Sequence, residues 1–329
     1  MRSQEVHLIA RPDGMPAPEQ FAVVEAQVPD PKDGEVLVEN IYLSVDPAMR
    51  PRLAGQQALN EAMLGGAIGR VLASRHADFA SGDYVQSMRG FRTHFVAPAK
   101  ELGKIEPDGM PLDAYMSVLG LTGLTAYGGL LIIGALKDGE NVFVSAAAGA
   151  VGSVAAQIAK VKGCYVIGSA GSEAKCRWLK EDLKLDAVIN YRTEVLRNAL
   201  KNAAPKGIDV YFENVGGEHL NAALPRMNAL GRIAVCGMIS AYNNFGAVSE
   251  PVTTLSNMIY ARITMRGFVY YEFESKRAQF LADMKSWLRA GRVQYRTTFV
   301  EGIANAPQAL IGLFTGANTG KMLVRLAAL

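Results

Sequence analysis

A run of small residues between an apolar strand and an apolar helix is the first place in this chain where chemistry is expected. The segment reads Asn141-Val-Phe-Val-Ser-Ala-Ala-Ala-Gly-Ala-Val-Gly152, and a helical pattern then continues to Val161. A strand, a small-residue turn and a helix together present free backbone N–H groups to a diphosphate at the helix N-terminus. The spacing is Ala146-x-x-Gly149-x-x-Gly152 rather than three glycines. A closely packed turn without a ligand therefore stays open as the alternative.

The next apolar strand, Cys164–Gly168, ends in the small residues Ser169–Ser172. In an NAD site an acidic residue near this point binds the adenosine ribose hydroxyls, and here that acid is missing. Lys175 follows one turn later, and Tyr191 follows the third strand. Small residues beside a cation suit a 2′-phosphate, so we expect NADP rather than NAD. The alternative makes Lys175 a solvated helix residue and Tyr191 a packing residue.

The elements that would position these residues alternate regularly along the middle of the chain. Strands are predicted at about 141–146, 164–168, 187–190, 208–213 and 231–236, with a sixth over Ile263–Val269, and helices at 150–162, 173–184, 194–202 and 218–228. Such a series predicts an α/β fold with a doubly wound parallel sheet, a Rossmann domain. Ligands of these sheets bind at the carboxyl ends of the strands.

Residues 1–118 have a different pattern, with short β-type runs separated by Pro and Gly turns. This pattern predicts a small, mainly β, barrel-like domain. The C-terminal segment returns to a helix (Pro307–Phe314) and a strand (Met322–Leu326), which we expect to rejoin the first domain. We therefore predict a discontinuous domain at 1–118 and 290–329, and a nucleotide-binding domain at 119–289.

Composition excludes several classes of function. The 329 residues include 34 basic and 31 acidic side chains, a net charge of +3 that implies no nucleic acid partner. The apolar stretch 115–135 is broken by glycines, and the N-terminus has no apolar signal region, so we expect neither a membrane span nor secretion. An odd count of three cysteines without framework spacing indicates reduced thiols and a cytoplasmic protein.

The metal-binding residue types do not occur at ligand spacing. Zinc sites need three or four ligands, mostly Cys and His, whereas the four histidines are scattered and the three cysteines all lie in the middle region. We therefore expect no metal. Hydride transfer without a metal remains, and a developing oxyanion would then need a hydroxyl or a backbone N–H as its donor. Tyrosines are the natural candidates.

A series of motifs along the chain resembles one known family. They are Gly123-Leu-Thr-Ala-Tyr127, Ala146–Gly152, Lys162-Gly-Cys, Ala170-Gly-Ser-x-x-Lys175, Asn190-Tyr191, Asp209-Val-Tyr-Phe-Glu-Asn-Val-Gly-Gly217, Val235-Cys-Gly-Met-Ile-Ser240 and Gly320-Lys-Met-Leu-Val324. The chain resembles the zinc-independent branch of the medium-chain dehydrogenase/reductase superfamily over nearly its full length. Within that branch it is similar to the prostaglandin reductase, alkenal double-bond reductase and bacterial curcumin reductase group.

The resemblance implies a GroES-like first domain, a homodimer, and NADPH-dependent reduction of the C=C bond of α,β-unsaturated aldehydes and ketones. Hydride would go to the β-carbon, hydrogen-bond donors would hold the enolate, and the α-carbon would be protonated. The implied cofactor-binding residues are Thr125, Ala147, Gly149, Ala150, Val151, Gly152, Gly171, Lys175, Tyr191, Asn214, Cys236, Gly237, Ile239, Tyr242, Phe268, Val269, Asn318 and Gly320.

Two tyrosines are the catalytic candidates. Tyr242 follows the fifth strand, where its phenol could stabilise the developing enolate and relay a proton, and Tyr42 is the second candidate. A loop tyrosine packed on the cofactor is the alternative for Tyr242. Asn214 closes the fourth strand, and a turn-forming asparagine is its alternative.

The chain departs from the family at one visible position. The family often reads Asp-Pro-Tyr-Met-Arg where this chain has Asp46-Pro-Ala-Met-Arg50, so an aromatic residue that usually faces the substrate is Ala48. This leaves the substrate preference open. Quinone reduction is the alternative activity, and an NADP-binding protein without catalysis is the alternative from another class.

Overall fold

Two stretches with different hydrophobic periodicity form two units of the fold. The computed structural model describes residues 1–244 and 251–329. The first unit, which we call the barrel unit, comprises Met1–Met116, Thr297–Asn318 and Met322–Leu329. The second, the nucleotide unit, comprises Ser117–Arg296 and Thr319–Lys321.

The strands and helices are as follows. The β-strands are β1 (Arg2–Leu8), β2 (Phe21–Gln27), β3 (Glu35–Ser44), β4 (Ala67–Ser74), β5 (Tyr84–Ser87), β6 (His94–Pro98), β7 (Gly103–Ile105), β8 (Asn141–Val144), β9 (Tyr165–Ala170), β10 (Ala187–Asn190), β11 (Ile208–Glu213), β12 (Met227–Val235), β13 (Thr264–Gly267), β14 (Thr297–Glu301) and β15 (Lys321–Arg325). The α-helices are α1 (Met49–Leu53), α2 (Leu121–Gly128), α3 (Gly152–Val161), α4 (Glu173–Arg177), α5 (Leu196–Ala203), α6 (Gly217–Ala223), α7 (Asn257–Ala261), α8 (Arg277–Arg289) and α9 (Ala306–Thr315).

The nucleotide unit contains a parallel sheet with the strand order β10-β9-β8-β11-β12-β13. Its central strands are apolar because both faces of a parallel sheet are covered, and Val142, Phe143 and Val144 of β8 are fully buried. The chain runs outward from β8 to β10 and then from β11 to β13 on the other side. The strand order therefore reverses between β8 and β11, which is where such sheets bind ligands.

The barrel unit is mainly antiparallel. β1 pairs with β2, and a larger sheet has the order β14-β15-β3-β4-β5-β7, with β6 also paired to β3. Alternating buried residues of β3 and β4 face a core that includes Val36, Val38 and Val71. The α/β prediction of a Rossmann domain with a GroES-like β domain is confirmed.

The element boundaries differ from the predicted ones in places. The predicted helix 218–228 ends as α6 at Ala223 with one further 3-10 turn, and β12 already begins at Met227. The helix predicted at 173–184 is α4 followed by a wide turn of π type over Trp178–Asp182. Helices α2 and α8 were not predicted from the sequence.

The boundaries between the two units differ from the predicted boundaries at 118/119 and 289/290. The residues after α8 remain in the nucleotide unit because Arg292 donates to Val161 O at 2.9 Å and the Arg296 guanidinium lies over the Trp178 ring at 5.0 Å. Thr319–Lys321 also belong to this unit, since Gly320 pairs with Gly149.

Candidate functional site

The ends of the six parallel strands share one edge of the nucleotide-unit sheet. The register pairs Ala170 with Asn190, Glu213 with Val235, and Val235 with Gly267. Segments that follow these residues therefore lie along one carboxyl edge. This edge carries most of the predicted cofactor-binding residues, namely Ala147, Gly149, Ala150, Val151, Gly152, Gly171, Lys175, Tyr191, Asn214, Cys236, Gly237, Ile239, Tyr242, Phe268 and Val269.

The turn between β8 and α3 folds tightly on itself. Ala146 adopts a positive φ of 47°, and the Ala147 N–H donates to Ser169 O at 2.9 Å. A side chain at Gly152 would overlap Ala146 O, so this position requires glycine. At Gly149 a Cβ would meet only Ala146 O within 4 Å. The turn therefore leaves open space beside Gly149 at the N-terminus of α3, where the Ser153 N–H donates to Gly149 O at 3.0 Å.

A short segment from late in the chain supports this turn. Gly320 forms an isolated parallel bridge with Gly149, and its N–H donates to Ala148 O at 2.8 Å. Gly320 has a φ of +67°, and a Cβ there would overlap Arg296 O. Both its conformation and its surroundings thus require glycine.

The tip of β9 combines a phenol with two cations. Tyr191 lies against Gly171, where a Cβ would stand 2.5 Å from the tyrosine hydroxyl and 3.3 Å from Arg192 Nε. Lys175 lies in α4, whose N-cap Ser172 accepts the Lys175 N–H at 3.4 Å. Burial, and next the charge of Arg192, lower the pKa of the Lys175 ammonium. The arrangement suits a dianion.

His219 lies beneath Tyr191 at the same tip. The two rings meet edge to face with centroids 5.0 Å apart, and His219 Nε2 is 3.1 Å from Ser169 Oγ. Burial lowers the pKa of His219 to about 4, so the imidazole is neutral at neutral pH. It therefore packs and orients without adding a charge.

Glu213 joins the ends of three strands. Its carboxylate accepts the Ser145 hydroxyl and the Val215 N–H, each at 2.7 Å, and its backbone carbonyl accepts the Cys236 N–H at 2.8 Å. Asn214 completes the network, since its N–H donates to Ser145 Oγ at 2.8 Å and its side-chain amide to Ser145 O at 2.7 Å. Asn214 is thus held between β8 and β11.

The loop after β12 is tied to the end of β11. The Ile239 N–H donates to Asn214 O at 3.2 Å, and Gly237 N–H donates to Glu213 O at 3.1 Å. Tyr242 turns back onto this loop, and its hydroxyl oxygen accepts the Met238 N–H at 3.2 Å. Burial raises the pKa of the Tyr242 phenol. Its proton therefore remains in place at neutral pH and is not used in the bond to Met238.

The three cysteines are free thiols. Burial, followed by the charge of Glu213, raises the pKa of Cys236 to about 12. Burial also raises the pKa of Cys164 and of Cys176. The protonated form of each thiol is therefore favoured, which makes them poor nucleophiles.

The remaining predicted site residues occupy different places. Thr125 is buried in α2 and its hydroxyl donates to Leu121 O at 2.7 Å. Phe268 is buried against Phe212 and Phe273, whereas the following Val269 is 44% exposed. Asn318 belongs to the barrel unit.

Tyr42 lies in the core of the barrel unit. Its side chain is buried, and its ring packs on Phe299 at 5.6 Å between centroids. Burial, and next the charge of Asp113, raise the pKa of its phenol. This environment favours a packing role, and the catalytic role of Tyr42 stays a prediction.

Ala48 is the N-cap residue of α1 in the barrel unit. Behind it, the fully buried Arg50 donates through its guanidinium to Gly14 O at 2.7 Å and to Pro12 O at 3.3 Å. The last residue of the Asp-Pro-Ala-Met-Arg motif thus holds the loop 12–14.

Two residues of the carboxyl edge were missed by sequence reasoning, Arg192 and Glu213. Arg192 directly follows the predicted Tyr191, but an exposed arginine after a strand end is common, so the sequence alone did not select it. Glu213 precedes Asn214 in an apolar strand, and a carboxylate in a buried strand was the signal there.

Comparison with known proteins places these features in a family. Residues 4–105 match the family described as "N-terminal domain of oxidoreductase", and residues 150–286 match "Zinc-binding dehydrogenase". Prostaglandin reductase 1 of Bos taurus is 43% identical over 95% of each chain. The 2-alkenal reductase (NADP(+)-dependent) of Nicotiana tabacum is 41% identical over 92% of this chain and 90% of that one.

A solved structure agrees over the whole length. CurA from Vibrio vulnificus in complex with NADPH is 37% identical, with a TM-score of 0.94 covering 99% of this chain and 100% of that chain. The family models and the relatives together identify an oxidoreductase. The chain belongs to the medium-chain dehydrogenase/reductase family, in the group that contains prostaglandin reductase and 2-alkenal reductase.

Two further findings concern the described residues alone. Within 1–244 and 251–329, no helix is long and apolar enough to cross a membrane. Over the same ranges, no three or more His, Cys, Asp or Glu side chains come together where they could hold a metal ion.

Proposed function

We propose that this protein reduces the C=C bond of α,β-unsaturated aldehydes and ketones with NADPH. The observation that carries the proposal is the acid-free tip of β9, where Lys175 and Tyr191 lie beside Gly171. Relatives named for NADP and for 2-alkenal reduction, and a closely similar structure with NADPH, support the same reading.

The carboxyl edge fits the dinucleotide. The open space at Gly149 and the N-terminus of α3 would receive the diphosphate, while Lys175 and Tyr191 would bind the 2′-phosphate. Asn214, Cys236, Gly237, Ile239 and Gly320 would border the rest of the cofactor, and Thr125, Phe268, Val269 and Asn318 complete the proposed set. When bound, NADPH supplies the hydride that adds to the β-carbon of the substrate.

Tyr242 is the proposed donor to the carbonyl oxygen. Negative charge develops on this oxygen as the β-carbon accepts the hydride, and a hydrogen bond that strengthens with that charge lowers the barrier. Because the Tyr242 oxygen already accepts the Met238 N–H, its own O–H is polarised and remains to donate. Protonation of the α-carbon completes the reduction.

Steady-state assays with an alkenal, an enone and a quinone test the activity. We expect NADPH-dependent turnover of the alkenal and enone, and turnover of the quinone alone would replace the proposal with quinone reduction. Tight NADPH binding without turnover of any of the three would indicate a non-catalytic protein.

Tyr242→Phe tests the donor. Its kcat should fall by about 10- to 100-fold, the usual contribution of one such donor, with little change in NADPH affinity. Tyr165→Phe is the matched control, since Tyr165 begins β9 at the opposite end of the strand. A kcat for Tyr242→Phe equal to that of the control would leave Tyr242 as a packing residue.

We also propose that the enzyme works without zinc, in the cytoplasm and as a homodimer. The absence of ligand spacing among His and Cys supports the first, and the three free thiols support a reducing compartment.

The dimer proposal rests on β13, the edge strand of the six-stranded sheet. All four of its residues are exposed, and no strand of residues 1–244 and 251–329 pairs with its outer edge, so this edge can extend antiparallel onto the same strand of a second copy.

A further inference from the structure

Arg192 is held at the tip of β9 by the backbone around it. The Tyr191 N–H donates to Ala170 O at 3.2 Å, which carries the pairing of β9 and β10 one residue past the end of β10. The Arg192 N–H then donates to Asn190 Oδ1 at 3.2 Å. The backbone at Arg192 is therefore held in place where the chain leaves the sheet, although the Arg192 side chain is exposed.

The guanidinium faces the same glycine as the Tyr191 hydroxyl. A Cβ at Gly171 would stand 3.3 Å from Arg192 Nε and 2.5 Å from Tyr191 Oη. Gly171 does not have a positive φ, so the backbone does not explain the glycine there. The missing side chain instead leaves room for these two polar groups to approach one point.

Charge is concentrated at this point. The Arg192 cation is near enough to Lys175 to lower the pKa of that ammonium, after burial as the larger cause. Two acids are also nearby: Glu194, whose carboxylate accepts the Asn190 N–H at 2.8 Å, and the exposed Glu173 at the start of α4. An anion between Lys175 and Arg192 would relieve the repulsion of the two cations, and a phosphate carries close to two negative charges at neutral pH.

We infer that Arg192 is a second cation for the 2′-phosphate and a determinant of the preference for NADPH over NADH. The inference rests on the proposed function and adds a residue to it. Lys175 contributes a point charge from α4, and Arg192 contributes a planar donor fork from the end of β10. His219, which is neutral, packs edge to face against the Tyr191 ring.

The test uses the two nucleotide fragments that differ only by the phosphate. Calorimetry should give wild-type protein a higher affinity for 2′,5′-ADP than for 5′-AMP. Arg192→Gln should weaken 2′,5′-ADP and NADPH by about 5- to 20-fold, as expected for one partly solvated charge-assisted contact, and leave 5′-AMP and NADH within about 2-fold. A smaller salt dependence of NADPH binding should accompany the change.

Lys201→Gln is the matched control, because it removes one exposed positive charge from α5 of the same unit. Gly171→Ala is the second variant, and its methyl group should reduce the same discrimination by displacing Tyr191 and Arg192. If wild-type protein does not distinguish 2′,5′-ADP from 5′-AMP, the proposed cofactor itself is wrong. If it does, but Arg192→Gln binds like the Lys201→Gln control, the inference about Arg192 is wrong.

Discussion

At the scale of single residues, the proposed 2′-phosphate site places two cations, Lys175 and Arg192, close together before any ligand binds. Lys175 lies partly buried in α4, where burial and Arg192 both disfavour its charged form. The folded chain maintains this unfavourable pair of cations, and a dianion that binds between them removes part of the cost. Preference for the phosphorylated cofactor then follows from electrostatics.

The lowered pKa of Lys175 gives a pH dependence with a definite sign. Only the protonated ammonium attracts the 2′-phosphate, so NADPH affinity should fall as pH rises through this pKa, at a lower pH than for an ordinary lysine. NADH affinity should not change over the same pH range, because NADH has no 2′-phosphate. Titrations of both cofactors across the alkaline range, with Lys175→Ala as the variant that loses the transition, measure this. Parallel pH profiles for NADPH and NADH would contradict it.

The sequence predicted part of this tip and missed part. Tyr191 and Lys175 could be found because they follow strand ends of a recognisable sheet. Arg192 could not be selected with the same ease, because an exposed arginine in a loop is common. Only the contact of Tyr191 and Arg192 with Gly171 distinguishes it, and that contact depends on the pairing of β9 with β10.

At the scale of elements, Glu213 is the residue that ties strand ends together. Its fully buried carboxylate binds Ser145 after β8 and Val215 after its own strand, and its carbonyl binds Cys236 after β12. The position of Asn214 at the proposed cofactor therefore depends on a side chain that need not touch the cofactor.

Two substitutions of Glu213 should distinguish the contribution of its hydrogen bonds to stability from the contribution of its side-chain volume. Glu213→Leu leaves the Ser145 hydroxyl and the Val215 N–H without their acceptor, and should lower the free energy of unfolding by about 2–4 kcal/mol. Glu213→Gln keeps an amide oxygen in the same place and should lose less than half as much. Denaturant unfolding of the two variants measures the difference. Equal losses in the two variants would show that the hydrogen bonds to Oε1 do not account for the loss of stability.

The sheet was more predictable than the helices that cover it. Short apolar runs with turn signals predict the strands of the nucleotide unit, whereas Gly123 and Gly128 give α2 no clear helical signal in the sequence. These glycines allow close packing: a Cβ at Gly123 would meet Val118 O and Phe280, and one at Gly128 would overlap Phe273. Glycine lowers the helix propensity of this segment, and tertiary contacts decide its conformation instead.

At the scale of the whole molecule, the exposed edge of β13 predicts self-association. Met265→Lys places a charge on this edge and should shift the molar mass in solution from twice 35.3 kDa toward 35.3 kDa. Met88→Lys, at an exposed methionine of the barrel unit, is the control. Light scattering after size exclusion measures both. A monomeric wild type would refute the dimer, and a dimeric Met265→Lys would refute this edge as its interface.

The bridge between Gly320 and Gly149 limits how this gene can be divided or shortened. A fragment limited to Ser117–Arg296 would contain the whole parallel sheet but would lack Gly320, which pairs with Gly149 in the turn between β8 and α3. Gly320 lies more than twenty residues beyond the end of such a fragment. Deletion of the last ten residues would remove Gly320 together with the whole of β15. Engineered versions of the enzyme should therefore keep the extreme C-terminal coding region even when only nucleotide binding is wanted.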